Sequence, residues 1–324
     1  MGKHHDWSIW HARLQQTVKE QQFFPSEARI LIAVSGGQDS VCLTKLMLDL
    51  QSLYKWRIAI AHCDHGWSTD AGIAEFVEEL AANLQIPFYL ERGTDVRETE
   101  AAARTWRYES LQKIAQIEGF EYVVTGHTKS DRAETFLYNL IRGAGADGLS
   151  SLNWQRTLSS NLTLIRPLLD LTRSETASFC RHFDLPLWED AANNNLNYAR
   201  NRIRKQLIPY LQDSFNPQVE NNLVQTAELL QADKEYLEQQ ASKLLSEVWF
   251  ADSKKLNRSK MREISLSLQR RIIRQLLPAT IRRQPNFAQI EAIQKLIEAP
   301  NKTRTSSLPN KAVAYAEDDW IYFE

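Results

Sequence analysis

Cysteine is scarce in this chain. Its 324 residues hold three, Cys42, Cys63 and Cys180, far apart and never as Cys-x-x-Cys. That excludes a disulfide framework and a zinc ribbon, and it fits a reducing, cytosolic setting. No apolar run approaches a membrane span, and the N-terminus carries no apolar signal core. A myristoylation signal is also missing, since Asp6 stands where Ser or Thr is needed. Charge of one sign is lacking too: 39 basic residues meet 40 acidic ones, so there is no bulk nucleic-acid signature. Two phosphate motifs are absent. No Walker A string occurs, and the one near-match to a dinucleotide fingerprint, Gly143 to Gly148, follows a helical segment, the wrong context. There is no internal repeat and no low-complexity tract. A 43% hydrophobic content and the length suggest an ordinary globular chain of about two domains.

The most informative stretch is Ser35-Gly36-Gly37-Gln38-Asp39-Ser40. An apolar run, Ile30 to Val34, precedes it and reads as a buried parallel strand. Val41 to Leu48 follows with helical spacing. A small-residue turn from a strand into a helix aims backbone N–H groups and the positive end of the helix dipole at one point. Phosphate is the natural ligand there, and Asp39 can hold a cation beside it. The pattern Ser-Gly-Gly-x-Asp-Ser resembles the pyrophosphate loop of N-type ATP pyrophosphatases, which cleave ATP between its α and β phosphates.

The spacing predicts an opening amphipathic helix over Trp7 to Val18. Strands are expected at 29–34, 57–63, 86–90 and 121–125, separated by helices to about 51, over 70–84, over 98–118 and from about 131. Strands alternating with helices imply right-handed crossovers and a doubly wound parallel α/β sheet, whose ligands bind beyond the carboxyl ends of the strands. Residues 150–161 read as loop. Helices follow at 173–183 and 199–211, and Asn216-Pro217 marks a boundary. The expected domains are therefore 1–215, catalytic, and 216–324, smaller and mainly helical, with a strand pattern only at Trp320 to Phe323.

Further stretches carry chemistry. Thr125 to Thr135 also leads from strand to helix and puts Asp131 and Glu134 on one helix face. Such a pair in a nucleotide cleft can bind Mg²⁺ or an ammonium group or act as a base; it can equally be an N-cap and its box partner. Glu100, Arg104, Arg107 and Tyr108 share neighbouring turns of one helix. His62-Cys63-Asp64-His65 is dense in metal ligands but alternates across a strand without a partner cluster, so a loop over the nucleotide is the better reading. The glycines of Arg142 to Leu149 cap a helix or let backbone approach a ligand. Glu189 to Asn193 precedes a basic helix with Arg200, Arg202, Arg204 and Lys205, and ten further Lys/Arg lie in 251–290.

These pieces occur together and in order. The loop at 35–40, Asp64-His65-Gly66, 100–108, 125–135, 142–149, Arg166-Pro167-Leu168-Leu169 and Arg200-Asn201-Arg202 together resemble the bacterial tRNA(Ile)-lysidine synthetases over roughly residues 28–212. Ala192 and Asn195 depart from that family's usual Ser and acid. The resemblance implies ATP-dependent attachment of lysine to the wobble cytidine of a CAU anticodon, with ATP and Mg²⁺, isoleucine tRNA and L-lysine as reactants. It implies ATP contacts at Ser35, Gly36, Gly37, Gln38, Asp39, Ser40, His65, Gly126 and His127, with Mg²⁺ on Asp39. Catalytic roles fall to Asp39, Asp131, Glu134, Arg104 and Arg202. Contacts to tRNA fall to Arg200, Arg204, Lys205, Lys254, Lys255, Arg270, Arg271 and Arg274. A homodimer is compatible with the sequence. A tRNA thiolase of the same fold would need sulfur-handling cysteines, an amidotransferase a glutaminase domain, and a mere nucleotide binder would have no use for the acids.

Overall fold

The computed structural model describes residues 7–150, 152–188 and 195–324, so the stretch from Glu189 to Asn193 lies outside the described residues. In chain order the elements are α1 (Ile9–Glu20), β1 (Arg29–Ala33), α2 (Gln38–Tyr54), β2 (Arg57–Asp64), α3 (Ile73–Asn83), β3 (Phe88–Arg92), α4 (Glu100–Glu118) and β4 (Tyr122–Thr125). Next come α5 (Lys129–Ile141), α6 (Gly145–Leu149), β5 (Gln155–Ser159), β6 (Leu162–Ile165), α7 (Arg173–His182), α8 (Ala199–Arg202) and α9 (Ile208–Ser214). Then α10 (Val219–Val248), β7 (Trp249–Phe250), β8 (Lys255–Asn257), α11 (Arg258–Arg262), α12 (Leu266–Ile281), α13 (Phe287–Leu296), β9 (Ala314–Glu317) and β10 (Trp320–Phe323) complete the chain.

The first six strands form one sheet in the order β3-β2-β1-β4-β6-β5, parallel except for the edge strand β5. β1 lies at its centre, with Ile30 opposite both Ile58 and Tyr122. Ile30, Leu31 and Ile32 are fully buried because helices cover both faces. On one side Ile30 and Ile32 pack with Val41, Leu46 and Leu50 of α2 and Phe179 of α7. On the other, Leu31, Ala59 and Val123 pack with Leu111, Ile114 and Ala115 of α4. The chain winds outward from β1 to β3 and then returns to β4, so the direction of winding switches between β1 and β4. A crevice opens at such a point beyond the strand ends. The loops after β1 and β4 meet there.

Two local features depart from the sequence reading. Residues 150–161 are not all loop: β5 and β6 form a hairpin with an irregularity between Thr157 and Ser159. Gln155, Arg156 and Thr157 are exposed at the sheet edge, so no apolar alternation marks the strand. The helix expected at 199–211 is realised as α8 and α9 joined by a π-helical turn, Ile203–Leu207.

By contacts the chain forms two compact units, residues 1–228 and 229–324. The division falls inside α10. Val224 of that helix packs in the first unit with Ala133, Leu137, Ile203 and Ile208. The second unit wraps α12 and α13 on a four-stranded antiparallel sheet, β7-β8-β10-β9. Ile272, Ile273, Leu276 and Leu277 meet Leu256, Ile321 and Phe323 in its core. No helix among the described residues is long and apolar enough to cross a membrane.

Candidate active site

α2 begins at the mouth of the crevice, and its N-cap, Gly37, has no side chain to satisfy the first amides. Those orphan N–H groups and the helix dipole make an anion site. The loop ahead of them is held from within. Ser40 Oγ donates to Gly37 O at 2.9 Å and takes the Ser35 N–H at 3.2 Å. Gly36 has φ +81°, and a Cβ there would meet Trp188 Cβ at 3.1 Å, while the Trp188 N–H donates to Gly36 O at 3.0 Å. Across the crevice Gly126 follows β4. A Cβ on it would lie 2.8 Å from the Asp39 carbonyl carbon and oxygen and 2.9 Å from Ser40 N. Only glycine lets the two loops approach this closely.

The crevice holds a cavity of about 460 Å³, within the size range of nucleotide and cofactor pockets. Ser35, Gly37, Gln38, Asp39, Ser40, His65, Gly126, His127, Asp131, Arg104, Arg200 and Arg204 all line it. Gly36 and Glu134 lie behind this lining, and Arg202 turns away, its Nη1 donating to Leu196 O at 2.7 Å and Asn197 O at 2.9 Å.

Asp39 is tightly held. Its Oδ1 accepts from Thr176 Oγ1 at 2.5 Å and Gln38 Nε2 at 3.4 Å, and its Oδ2 lies 3.2 Å from Arg173 Nη1. Burial and the nearby Asp131 push its carboxyl above the ordinary range even though Arg173 opposes them. Arg173 and Thr176 come from α7, some 137 residues away in the chain for the Thr176 bond, and no local signal marks them. Asp131 is both cap and functional candidate: its Oδ2 accepts from Thr128 N–H at 2.7 Å and Oγ1 at 2.8 Å in a capping box on α5. Burial would raise its carboxyl, but the Thr128 amide and hydroxyl and the nearby Arg204 lower it. Glu134, 3% exposed at its side chain, is clamped by Arg204, with Nε to Oε1 at 2.6 Å and Nη2 to Oε2 at 2.8 Å. Burial still holds the Glu134 carboxyl above its usual range.

Cationic groups crowd the opposite wall. Arg104 and Arg107 lie over the Tyr108 ring at 5.2 and 5.7 Å, and Arg156 joins them at 5.6 Å. Burial lowers the Arg104 pKa, helped by Arg107, Arg200 and Arg166. Burial, helped by Arg166, Arg107 and Arg104 against the pull of Asp131, pushes His127 down to about 3, so it is neutral at working pH. Arg200 pairs with Glu100 at 3.2 Å. His65 stacks on Trp67 at 4.9 Å and faces Asp70 at 3.2 Å. His62 is a buried core histidine whose Nδ1–H donates to Val34 O at 2.7 Å, and no group of three potential metal ligands occurs among the described residues.

In the second unit, Lys254 closes the β7–β8 turn and Lys255 opens β8, where its Nζ sits 4.2 Å from the Trp320 ring centroid. Arg270 makes a two-pronged pair with Glu291 at 2.7 and 3.1 Å, and Arg271 pairs with Glu238 at 2.6 Å. Arg274 lies on α12 with them. Lys205 stays in the first unit, on the π-helical turn.

A parallel sheet switching at β1/β4 and an uncapped Ser-Gly-Gly turn facing a glycine define a PP-loop ATP-binding protein. The PP-loop domain model matches residues 8–211, and the TilS substrate binding domain model matches residues 256–320. The tRNA(Ile)-lysidine synthase of Nostoc sp. is 50% identical, covering 97% of this chain and 96% of the relative. That of Synechocystis sp. is 49% identical over 98% of both. A chloroplastic tRNA(Ile)-lysidine synthase from Zygnema circumcarinatum is 36% identical over 87% and 78%. A U34-tRNA thiolase from Methanococcus maripaludis shares the fold, with a TM-score of 0.58 at 14% identity, over 68% of this chain and 77% of that one. The chain belongs to the tRNA(Ile)-lysidine synthase family.

Proposed function

We propose that this protein ligates L-lysine to C2 of the wobble cytidine in the CAU anticodon of an isoleucine tRNA, through an adenylated cytidine. The observation that carries this reading is one cavity lined by both the uncapped phosphate loop and Asp131, an anion site beside an amine site. ATP phosphates lie on the amides and hydroxyls of Ser35, Gly36, Gly37, Gln38 and Ser40, with His65, Gly126 and His127 along the nucleotide. Neutral His127 adds no charge that would compete for the phosphates.

The donor set fits Mg²⁺. Asp39 is a buried carboxylate held above its ordinary range partly by a second carboxylate, Asp131, and a cation relieves that repulsion. One or two carboxylates plus substrate phosphates are what this ion takes. Asp39 would hold it, and there it would neutralise developing charge on the pyrophosphate.

In the first step the C2 oxygen attacks the α phosphorus, the α–β bridge breaks and pyrophosphate leaves. Arg104 offsets the charge that spreads over the phosphoryl oxygens, whereas Arg202, turned away onto the Leu196 and Asn197 carbonyls, does not reach them. In the second step the lysine ε-ammonium gives a proton to the Asp131/Glu134 pair. Its nitrogen then bonds to C2, the C2–O bond breaks, and AMP leaves with the electron pair. Arg200 and Lys205 in the first unit, and Lys254, Lys255, Arg270, Arg271 and Arg274 in the second, contact the tRNA backbone in this reading, while Arg204 is committed to Glu134. Flanking anticodon bases are splayed and held, as sequence-specific RNA readers do.

A thiolase reading is disfavoured by the thiols. All three cysteines are buried and free, and burial pushes Cys63, the one lining the cavity, up to about 12, far from a thiolate at neutral pH. The test mixes the protein with ATP, radiolabelled lysine and isoleucine tRNA. Lysine-bearing tRNA with AMP released is expected, and mass spectrometry of the wobble nucleoside identifies the product. Transfer that survives Asp39→Ala, or no transfer to any isoleucine tRNA, refutes the reading.

A further inference from the structure

The acids in and just behind the cavity wall differ in how much acceptor capacity they have left. Asp39 has a partner on each oxygen, Thr176 on one and Arg173 on the other. Glu100 is paired with Arg200 and Asp70 with His65. Glu134 has both oxygens filled by one guanidinium, that of Arg204. Asp131 Oδ2 holds the Thr128 amide and hydroxyl, whereas Asp131 Oδ1 has only a 3.4 Å contact to Arg204 Nη2. Of the two acids on α5, Asp131 therefore keeps one oxygen nearly free of the protein, whereas Glu134 keeps none.

A single acceptor suits one kind of cation better than another. An ammonium is a compact point charge with rotatable donors and needs one strong acceptor. A guanidinium is a rigid fork that binds best to two oxygens of one carboxylate. Arg204 already occupies the fork position on Glu134 and puts its own positive charge beside Asp131. Its backbone lies in the π-helical turn Ile203–Leu207, closed by the Ile208 N–H on Ile203 O. Such turns are rare and recur at functional sites.

We infer that Arg204 is a specificity-determining residue: it fills the two-oxygen seat on Glu134 so that the pocket accepts the ε-ammonium of lysine on Asp131 and rejects the guanidinium of arginine. The inference rests on the ligase reading, because it takes the acid pair as the amine site. Arg204 therefore excludes a cationic competitor of similar length and the same charge, by occupation rather than by a steric wall.

Calorimetric titration of the full-length protein, with tRNA and a non-hydrolysable ATP analogue present, tests it using L-lysine and L-arginine as ligands. The native protein should prefer lysine by about 100-fold or more, and Arg204→Met should cut that preference to below about tenfold, mainly by letting arginine in. Arg204→Lys keeps the charge, loses the fork and should fall between them; it carries the same readout if the methionine variant does not fold. Adding Glu134→Gln to Arg204→Met removes the open two-oxygen seat and should restore exclusion of arginine. Arginine binding to the native protein within tenfold of lysine, or an unchanged preference in both Arg204 variants, overturns the inference. A native protein that transfers lysine to tRNA but shows that unchanged preference leaves the ligase reading standing; one that transfers none removes both.

Discussion

Gly126→Ala is the sharpest perturbation of the phosphate loop, because it adds one methyl group where β4 meets the start of α2. That methyl would lie 2.8 Å from the Asp39 carbonyl carbon and oxygen, which is 0.6 Å inside the ordinary contact limit of 3.4 Å. The neighbours are backbone, so no side chain can swing away. Either the β4 loop or the first turn of α2 must move, and with it the amides aimed at the phosphates. Overpacking of this kind costs about 1–3 kcal/mol of stability. A displacement near 1 Å at a reacting centre costs about 100-fold in rate, so the half-ångström shift should cost on the order of tenfold. Urea unfolding and tRNA-dependent lysine transfer, measured side by side, read the two effects. Gly143→Ala is the control: Gly143 has φ +69° with nothing within 4 Å of its Cβ position, so the change should cost about 1 kcal/mol through backbone strain alone and leave transfer intact. A Gly126→Ala protein with transfer within twofold of native and an unchanged unfolding midpoint would refute the close-approach reasoning.

Thr176→Val keeps shape but removes the 2.5 Å donor to Asp39. A hydrogen bond to a charged group contributes about 1.5–3 kcal/mol, so kcat/KM for ATP should fall roughly 10- to 100-fold with little change in fold, as steady-state kinetics would record. Asp39→Asn should abolish transfer yet raise Tm at pH 7. The folded-state pKa of Asp39 lies above its unfolded value, so its ionised form weakens the fold at neutral pH, and the advantage of asparagine should vanish below the ordinary carboxylate range, where both states are protonated. His127 has the opposite linkage to acid: held near 3 against an ordinary 6.5, it binds its proton only on unfolding, so native stability falls as pH drops through that window. His127→Gln should flatten this limb of a Tm-against-pH curve, and an unaltered limb would assign the acid sensitivity elsewhere.

The parts of the site that could be read from the chain are those whose chemistry is local. Ser35 to Ser40 and Thr125 to Asp131 are strand-to-helix turns, and their glycines, caps and flanking apolar runs are all within one window. The fold followed because alternating β and α segments leave few topologies. In the second unit only β10, at Trp320 to Phe323, was expected; β7, β8 and β9, two to four residues long, fall below any periodicity window, and β5 is polar because it lies at an exposed edge. Arg173 and Thr176 were invisible for a different reason. α7 was legible as a helix, but that it docks on α2 and reaches Asp39 is a property of tertiary packing.

The arginines of the α8 region show where a local rule could have gone further. Residues four apart share a helix face and residues two apart do not. Arg200 and Arg204 are four apart, and both line the cavity; Arg202 lies between them, turns away and bonds the Leu196 and Asn197 carbonyls. Counting along the helix is enough to separate the pair from the odd one. What counting does not supply is the partner. Arg204 meets an acid pair 70 residues upstream, and the π-helical turn that carries it has no sequence signature in composition or spacing. The charge of Arg204 suits a phosphate, and the fold instead sets it on Glu134. The residue thereby passes from the anion half of the cavity to the amine half, and lysine selection, rather than phosphate binding alone, becomes the property its substitution should move first.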